Sequence, residues 1–283
     1  MKVAAVLALR AEHRLPVLLE VAELARSTFF YHQKRLAQPD PRQPLKDAIT
    51  EAFTNNKGRY GHRRIHQVLR RAGWQVAKKT VCTLMRQLGL VCKVRRRRYV
   101  SYRGEVGEIA DNLLDRDFSA TAPNQKWVTD ITQFAVAGTK IYLSAVKDLF
   151  DQQIIAHSIS RSPNMKLVLA SLDDAVATLA PSERPLVHSD QGFHYRHRRW
   201  VEHLAAAGAV QSMSRKGNCL DNAMIENFFG HLKEEAITHE NFGSAEALET
   251  AVTDYIDWYN HDRISEALNN QSPVAYRAHA LAA

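Results

Sequence analysis

Residues 127–136 read WVTDITQFAV, and this stretch decides the fold class of the chain. Its side chains alternate between the two faces of a predicted β-strand, with Asp130 and Phe134 on one face and Trp127 on the other. Gly138 predicts a turn directly after it. The next two apolar segments complete a three-stranded antiparallel meander, namely KIYLSAVKDL at 140–149 and QQIIAHSIS at 152–160.

Helical and strand patterns alternate along the chain after the meander. The predicted elements are a helix over 164–180, the strand PLVH at 185–188, a helix at 195–208, the strand VQSMS at 210–214, a helix capped by Asp221 or Asn222 that runs through Ile237, and a last helix that includes AVTDYIDWYN at 251–260. Three strands followed by this alternation predict an α/β domain with a mixed five-stranded sheet.

Three carboxylates stand out from this pattern. Asp130 lies inside a strand, where aspartate is depleted and is rarely buried unless it is paired or bound to a metal. Asp190 directly follows an apolar strand, at the carboxyl end where open α/β sheets place ligands. Glu226 lies on a helix whose neighbouring residues are apolar. Each also has a structural explanation when taken alone, since Asp130 suits an edge strand, Asp190 a turn and Glu226 a solvated helix face.

The chain before residue 121 is predicted to be helical and basic. Residues 1–40 are predicted to form a helix-turn-helix-like segment, in which residues 14–37 predict a helical pair. Residues 41–92 predict a second helical DNA-binding domain of about three helices. Residues 93–120 predict a basic linker, residues 121–240 the α/β core, and residues 241–283 a C-terminal helical extension.

The charge of the chain is divided unevenly. Residues 1–103 contain 23 Lys and Arg against 6 Asp and Glu, a net charge of +17, whereas the remaining residues carry −9 and the whole chain +8. Such a basic end predicts a polyanionic partner, and nucleic acid is the first candidate. A solvated basic surface is the alternative.

Composition excludes several classes of protein. Apolar residues make up 45% of the chain and charged residues 24%, which is typical of a globular protein and not of a disordered one. No apolar run approaches the ~18 residues of a transmembrane helix. The charged residues that interrupt the apolar start argue against a signal peptide, and three cysteines suit a reducing cytosol.

Four ordered blocks of the chain resemble the signature blocks of DDE transposases. They are WVTDIT at 127–132, HSDQG at 188–192, SRKGNCLDNAMIENFFGHLKEE at 214–235 and YIDWYNHDRISEALNNQSPVAYR at 255–277. The blocks are similar to those of the second-frame (OrfB) products of bacterial insertion sequences of the insertion-sequence-three family, and there to the one-fifty-like subgroup. This superfamily shares the catalytic core of retroviral integrases. The upstream segment GRYGHRRIHQVLRR at 58–71 resembles the helical domain of the same family.

The resemblance implies a ribonuclease-H-like core in which Asp130, Asp190 and Glu226 form a metal-binding catalytic triad. Three adjacent carboxylates repel one another unless cations neutralise them. Mg²⁺ or Mn²⁺ prefers such oxygen ligands, and two ions can stabilise both the attacking and the leaving oxygen of an in-line displacement. The expected reaction is metal-dependent nicking and strand transfer at the ends of an insertion sequence.

Further residues are expected to support this reaction. His188 and Gln191 flank Asp190 and are expected to orient ligands or water. Basic residues are expected to contact DNA, with a solvated surface as the alternative for the linker and for Lys233: Arg63, Arg64, Arg95, Arg96, Arg97, Arg98, Arg215, Lys216 and Lys233.

The resemblance also implies partners and a compartment. Double-stranded DNA, as terminal inverted repeats and as target, is the expected substrate. Joining two ends requires a homo-oligomer, a dimer or larger. An upstream helix-turn-helix product (OrfA) is a further candidate partner, separate or fused by frameshifting. The expected location is the bacterial cytoplasm, in association with the nucleoid.

Three alternatives remain at this point. One is a DNA-binding regulator or target-capture subunit that has lost catalysis, and another is a ribonuclease-H-type nuclease. A zinc site formed by His62, His66, Cys82 and Cys92 is the third, and it is disfavoured because nine residues separate the cysteines where a zinc knuckle has about two to four.

Overall fold

The computed structural model describes residues 2–36, 38–93, 110–136, 138–215 and 219–282. The chain divides into two compact units, an N-terminal unit of residues 1–91 and a C-terminal unit of residues 92–283. The predicted DNA-contacting residues Arg95 to Arg98 and Lys216 lie outside the described residues. Within the described ranges, no helix is long and apolar enough to cross a membrane.

The described part of the N-terminal unit is helical. Its helices are α1 (Lys2–Leu9), α2 (Leu15–Val21), α3 (Arg26–Leu36), α4 (Gln43–Asn55), α5 (His62–Arg71) and α6 (Lys78–Gln87). The helical pair predicted for residues 14–37 is present as α2 and α3. Helix α1, formed by the apolar start of the chain, was not predicted. Val6 of α1 is buried in one cluster with Leu18, Leu19 and Phe29.

The described part of the C-terminal unit contains a mixed sheet with helices on both faces. Its strands and helices are β1 (Lys126–Val136), β2 (Thr139–Asp148), β3 (Ile154–Ser160), α7 (Met165–Val176), β4 (Leu186–Ser189), α8 (Phe193–Arg196), α9 (Arg198–Ala206), β5 (Val210–Met213), α10 (Ala223–Leu232), α11 (Ala245–His261) and α12 (Pro273–Ala282). Short 3₁₀ turns cover Cys219–Asn222 and Glu266–Leu268, and a π-helical turn covers Lys233–Ile237.

The sheet has the strand order β3-β2-β1-β4-β5, which confirms the predicted mixed five-stranded sheet. The first three strands form the predicted antiparallel meander. Gly138 lies in the turn between β1 and β2 with a φ of +75°, a conformation that glycine adopts without strain. Strand β4 pairs with β1 in parallel, and β5 pairs with β4 in parallel.

The two faces of β1 pack into separate cores, as the alternation in its sequence predicts. Val128 and Phe134 belong to the core between the sheet and helices α10 and α11. Trp127, on the opposite face, belongs to the core beneath α7 and α9. The face that carries Asp130 is therefore the face covered by α10.

Two flanking segments also pack onto this unit. Residues 110–120, at the end of the predicted linker, include Leu114, which is buried in the same core as Val128. The backbone N–H groups of Leu113 and Leu114 donate to Ser212 Oγ at 3.0 and 3.2 Å. Helix α11, from the predicted C-terminal extension, buries Leu248 and Val252 in that core as well.

Candidate active site

The register between β1 and β4 brings Asp130 and Asp190 to the same level on neighbouring strands. Val128 pairs with His188 in the parallel ladder, and each aspartate lies two residues beyond its member of this pair. The backbone N–H of Ile131 donates to Asp130 Oδ1 at 2.7 Å. Two carboxylates that are 60 positions apart in the sequence are thus held side by side by adjacent strands.

Gly192 fixes the carboxylate of Asp190. Its backbone N–H donates to Asp190 Oδ1 at 2.8 Å. A Cβ atom at residue 192 would lie 2.8 Å from the same oxygen, so a larger residue would push the carboxylate away. Glycine is required here by close approach, and not by its backbone angles, since its φ is −56°.

Glu226 lies in the first turn of α10, and polar contacts join the start of this helix to β1. The side chain of Asn222 donates to the backbone oxygen of Thr129 at 3.3 Å, next to Asp130. We predicted that Asp221 or Asn222 would cap the helix, and Asn222 does occupy the N-cap position, although no side-chain cap bond forms. Asp221 binds arginines instead.

The electrostatics of the two aspartates are those of crowded, half-buried acids. Burial raises the pKa of Asp130 well above its ordinary value, and the charges of Asp190 and Glu226 raise it further. Burial also raises the pKa of Asp190, although the N–H of Gly192 opposes the shift. The charges of both other acids raise the pKa of Asp130, so the three predicted triad members lie close enough to interact.

The donor set suits a hard divalent cation. Half-buried carboxylates that repel one another are stabilised by such an ion, and Mg²⁺ and Mn²⁺ prefer oxygen ligands. The described residues contain no group of three or more His, Cys, Asp or Glu side chains that is already arranged to hold a metal. The structure thus places the two aspartates side by side, with Glu226 within electrostatic range of Asp130. The three side chains do not form a complete set of metal ligands in this arrangement.

Lys233 lies at the same locality. Its Nζ is 5.6 Å from the centroid of the Phe134 ring, on the face of β1 that carries Asp130. Burial lowers the pKa of Lys233, and the charge of Asp130 opposes that shift. Lys233 begins the π-helical turn that follows α10, and such turns are frequent at functional sites.

His188 and Gln191 make structural contacts. His188 Nδ1 is 2.8 Å from Ser212 Oγ, and its Nε2 is 3.1 Å from Ser214 Oγ. Burial lowers the pKa of His188 to about 4, so the ring is neutral near pH 7. The side chain of Gln191 donates to the backbone oxygen of Ser214 at 2.9 Å. These contacts hold the end of β4 against the end of β5, and an orienting role of His188 and Gln191 toward ligands or water stays a prediction.

Arg215 is held by acids of the protein. Its Nε lies 3.1 Å from Asp221 Oδ2, and its Nη2 lies 3.3 Å from Asp115 Oδ1. Asp221 also accepts from Arg116 Nε at 2.8 Å and from Asn112 Nδ2 at 3.0 Å. The buried carboxylate of Asp221 therefore ties residues 110–120 and the end of β5 to the turn that precedes α10.

Replacement of Asp221 by asparagine is expected to destabilise the protein at pH 7 by on the order of 1 kcal/mol, a value kept small because water screens the half-exposed arginines. Burial opposes ionisation of Asp221, but hydrogen bonds from Arg215 and Arg116 lower its pKa to about 2. A depressed pKa contributes stability above the unfolded value of 3.8 that is lost as the pH falls through about 2. Thermal unfolding from pH 7 to pH 2 measures this; equal losses in both proteins on acidification would contradict it.

The predicted arginines of the N-terminal unit lie on α5. Arg64 lies over the ring of Tyr60, with 5.4 Å between its Cζ and the ring centroid. Arg63 is its neighbour in the first turn of the helix. Arg70 and Arg71 end the same helix, so α5 carries a pair of arginines near each end.

Sequence reasoning missed three residues around the site. Gly192 was available as a signal, because a glycine two residues after an aspartate can bring its N–H close to the carboxylate. Asp221 was misread as a helix cap, which is a frequent role of aspartate. Lys147 is 2% exposed, whereas lysine is almost never fully buried without a partner.

Comparisons with known proteins agree with the architecture. Integrase core domain models match residues 120–219 and 226–281, and an HTH-like domain model matches residues 40–98. The first match contains Asp130 and Asp190, and Glu226 begins the second.

Curated relatives cover nearly the whole chain. It is 50% identical over 269 residues to a putative transposase for insertion sequence element IS150 of Escherichia coli, covering 95% of both chains. It is 33% identical over 273 residues to the transposase for insertion sequence IS3A of Escherichia coli, covering 94% of this chain and 95% of that one. A structure of the HTLV-2 integrase catalytic core domain in complex with magnesium covers 55% of this chain and 97% of that chain at 14% identity and a TM-score of 0.44. Integrase core domain models match the residues of the site, and the transposases of IS150 and IS3A are 50% and 33% identical to nearly the whole chain. The chain therefore belongs to the DDE transposases of bacterial insertion sequences, in the IS3 family.

Proposed function

We propose that this transposase nicks and joins DNA at the ends of an insertion sequence, with Asp130, Asp190 and Glu226 as its metal-binding catalytic residues. The observation that carries the proposal is the pairing of Asp130 and Asp190 by the β1–β4 register, with raised pKa values in both. A raised pKa in adjacent, half-buried acids is typical of a site that a cation completes.

The proposed chemistry is phosphoryl transfer without a covalent protein intermediate. Water attacks a phosphodiester at the element end and releases a 3′-hydroxyl. This hydroxyl then attacks a phosphodiester of the target, forming one P–O bond while another breaks. An integrase-type DDE core depends on divalent metal, and we propose two ions, which when bound stabilise the attacking and the leaving oxygens.

The residues of the chain perform three tasks in this scheme. Asp130, Asp190 and Glu226 would hold the divalent cations beside strands β1 and β4. Lys233 lies beside Asp130 and meets a phosphate of the DNA end with its ammonium group. Gly192 keeps the carboxylate of Asp190 in place.

The basic N-terminal region is proposed to bind the terminal repeats through their phosphates. Helix α5 supplies Arg63 and Arg64, and the run Arg95 to Arg98 follows in the sequence. A transposase with an HTH-like domain binds DNA and acts as an oligomeric assembly. We propose that its DNA ligands are the terminal repeats and the target. The proposal also includes a homodimer or larger assembly, and an OrfA product as a partner.

Binding to a terminal repeat is expected to weaken about 10³–10⁵-fold between roughly 50 and 200 mM salt, because several phosphate contacts release counterions. Replacement of Arg63 by glutamine is expected to make the slope of log K against log salt less negative by about 1. Arg198→Gln is the matched control, since Arg198 is exposed and lies in the acidic C-terminal unit. Fluorescence anisotropy over a salt series measures both, and a flat response would refute the phosphate contacts.

Strand joining on a supercoiled plasmid that carries the terminal repeats tests the function. If the element ends become covalently joined to DNA when Mg²⁺ is present, the proposal is supported. Degradation of the plasmid without joined products would indicate a nuclease. Binding of the repeats without nicking would indicate a regulator or target-capture protein.

A further inference from the structure

Lys147 is a buried lysine inside the core that carries the site. It lies on β2 opposite Val128 of β1, two pairs along from the pair formed by Asp130 and Ala145. Because β-strand side chains alternate, Lys147 shares the face of the sheet that carries Asp130. The residue is 2% exposed, among apolar neighbours of the core between the sheet and α10.

The ammonium group of Lys147 reaches the helix that carries Glu226. Its Nζ donates to the backbone oxygen of Met224 at 3.2 Å. Met224 lies in the first turn of α10, two residues before Glu226. This bond crosses from the second strand of the sheet to the helix, whereas the bond from Asn222 to the backbone oxygen of Thr129 joins the same turn to β1.

Burial of this lysine is costly for stability. Removing a charged group from water is unfavourable unless it is paired. Burial lowers the pKa of Lys147 to about 7, and the charge of Arg263 lowers it as well, while that of Asp151 opposes the shift. An apolar side chain of similar length would fill the same space without this cost. A polar contact at such a cost points to a task other than stability.

We propose that Lys147 is a positioning residue that fixes the first turn of α10 and so sets the distance of Glu226 from the two aspartates. The inference rests on the proposed triad. Asp130, Asp190 and Glu226 are not already arranged as a complete set of metal ligands. The angle and position of α10 therefore decide how readily Glu226 reaches a cation. Lys147 and Asn222 anchor that turn at two points of the sheet.

Mn²⁺ binding to the full chain without DNA tests the proposal. Lys147→Met keeps the length of the side chain and removes the donor, and it is expected to weaken Mn²⁺ binding by about 10-fold, as loss of a group that orients metal ligands does. Lys140→Met is the matched control, because Lys140 is an exposed lysine on the same strand. Calorimetric titration with Mn²⁺ gives the dissociation constants, and equal constants in the two variants would overturn the proposal.

Two further measurements separate positioning from general damage. In the presence of a chelator, Lys147→Met is expected to melt at or above the temperature of the parent, while amide hydrogen exchange speeds up in α10 and stays unchanged in α7. Unchanged exchange in α10 would overturn the proposal even if folding were impaired. Glu226→Gln distinguishes failure of the proposed triad from failure of the proposed role of Lys147. If Glu226→Gln binds Mn²⁺ as the parent does, the triad is wrong. If binding is weakened in Glu226→Gln but normal in Lys147→Met, only the role of Lys147 is refuted.

Discussion

Replacement of Asp130 by asparagine is expected to reduce strand joining by at least about 10³-fold, because a proposed metal ligand is lost. The same change is expected to make the metal-free protein more stable, by on the order of 1 kcal/mol or about 2–4 °C in Tm. Asparagine can still accept the hydrogen bond from Ile131, and it removes a half-buried charge that Asp190 and Glu226 repel. A loss of activity accompanied by a gain in stability separates a functional acid from a structural one.

The pH dependence of stability gives the sign of this effect. The pKa of Asp130 is raised in the folded protein above its ordinary value of 3.8. Its contribution to stability is therefore fully present below pH 3.8 and is lost as the pH rises through the raised value. Unfolding with a chelator over this range is expected to be less pH-dependent in Asp130→Asn than in the parent, and saturating Mg²⁺ is expected to stabilise the parent more than the variant.

Asp257→Asn is the matched control for this experiment. The side chain of Asp257 is 74% exposed and lies beside His261 on α11, away from β1. It is expected to keep both strand joining and the melting temperature. Strand joining near the parental rate in Asp130→Asn would remove Asp130 from the catalytic set, and a lower melting temperature without metal would contradict the repulsion between the acids.

Replacement of Glu235 by glutamine is expected to cost about 3–5 kcal/mol, because it leaves the buried charge of Arg263 unpaired. Arg263 Nη2 is 2.9 Å from Glu235 Oε1, and both side chains are 6% exposed. The hydroxyl of Tyr255 donates to Glu235 Oε2 at 2.8 Å, and the Arg263 guanidinium lies over the Tyr259 ring. The cluster joins α11 to the π-helical turn that begins at Lys233, so its loss is expected to lower strand joining as well.

Thermal and denaturant unfolding measure this cost. Burial opposes ionisation of Glu235, but the hydrogen bond from His231 and the charge of Arg263 hold its pKa below the ordinary 4.5. Its stabilisation is therefore present at neutral pH and is lost on acidification below 4.5. Glu246→Gln serves as the control, since Glu246 forms an exposed pair with Arg161 and its loss is expected to leave the melting temperature unchanged. Equal melting temperatures for Glu235→Gln and the control would contradict the buried pair.

Local sequence pattern predicted much of the fold. The alternation along WVTDITQFAV separated Phe134 from Trp127, and the structure buries them in different cores. The family and the fold class are confirmed, whereas the triad stays a prediction that the paired aspartates support. The neighbourhood of β1 and β4 could be inferred only through the resemblance, because no local pattern reports which strands pair across 50 residues.

Long-range polar contacts were not predictable from the pattern. Asp221 has the local signature of a helix cap, but Arg116, 105 positions earlier, provides a charged partner that a cap cannot match. Lys147 resembles an exposed strand residue, and its burial depends on the position of α10. At the start of the chain, the charged residues after Leu9 obscured the apolar stripe that buries Val6. In each case a partner distant in sequence decided the outcome.

Because β1 and β4 are aligned in parallel, insertions and deletions between the two aspartates have different effects in the strands and in the connections. The segment between these strands could lengthen or shorten in evolution, since its loops lie outside the ladder. Deleting one residue from the four of β4 would instead turn Asp190 toward the opposite side of the sheet. Length variation among relatives should therefore gather in the connections and spare Leu186–Ser189, even where amino-acid identity in that strand has drifted.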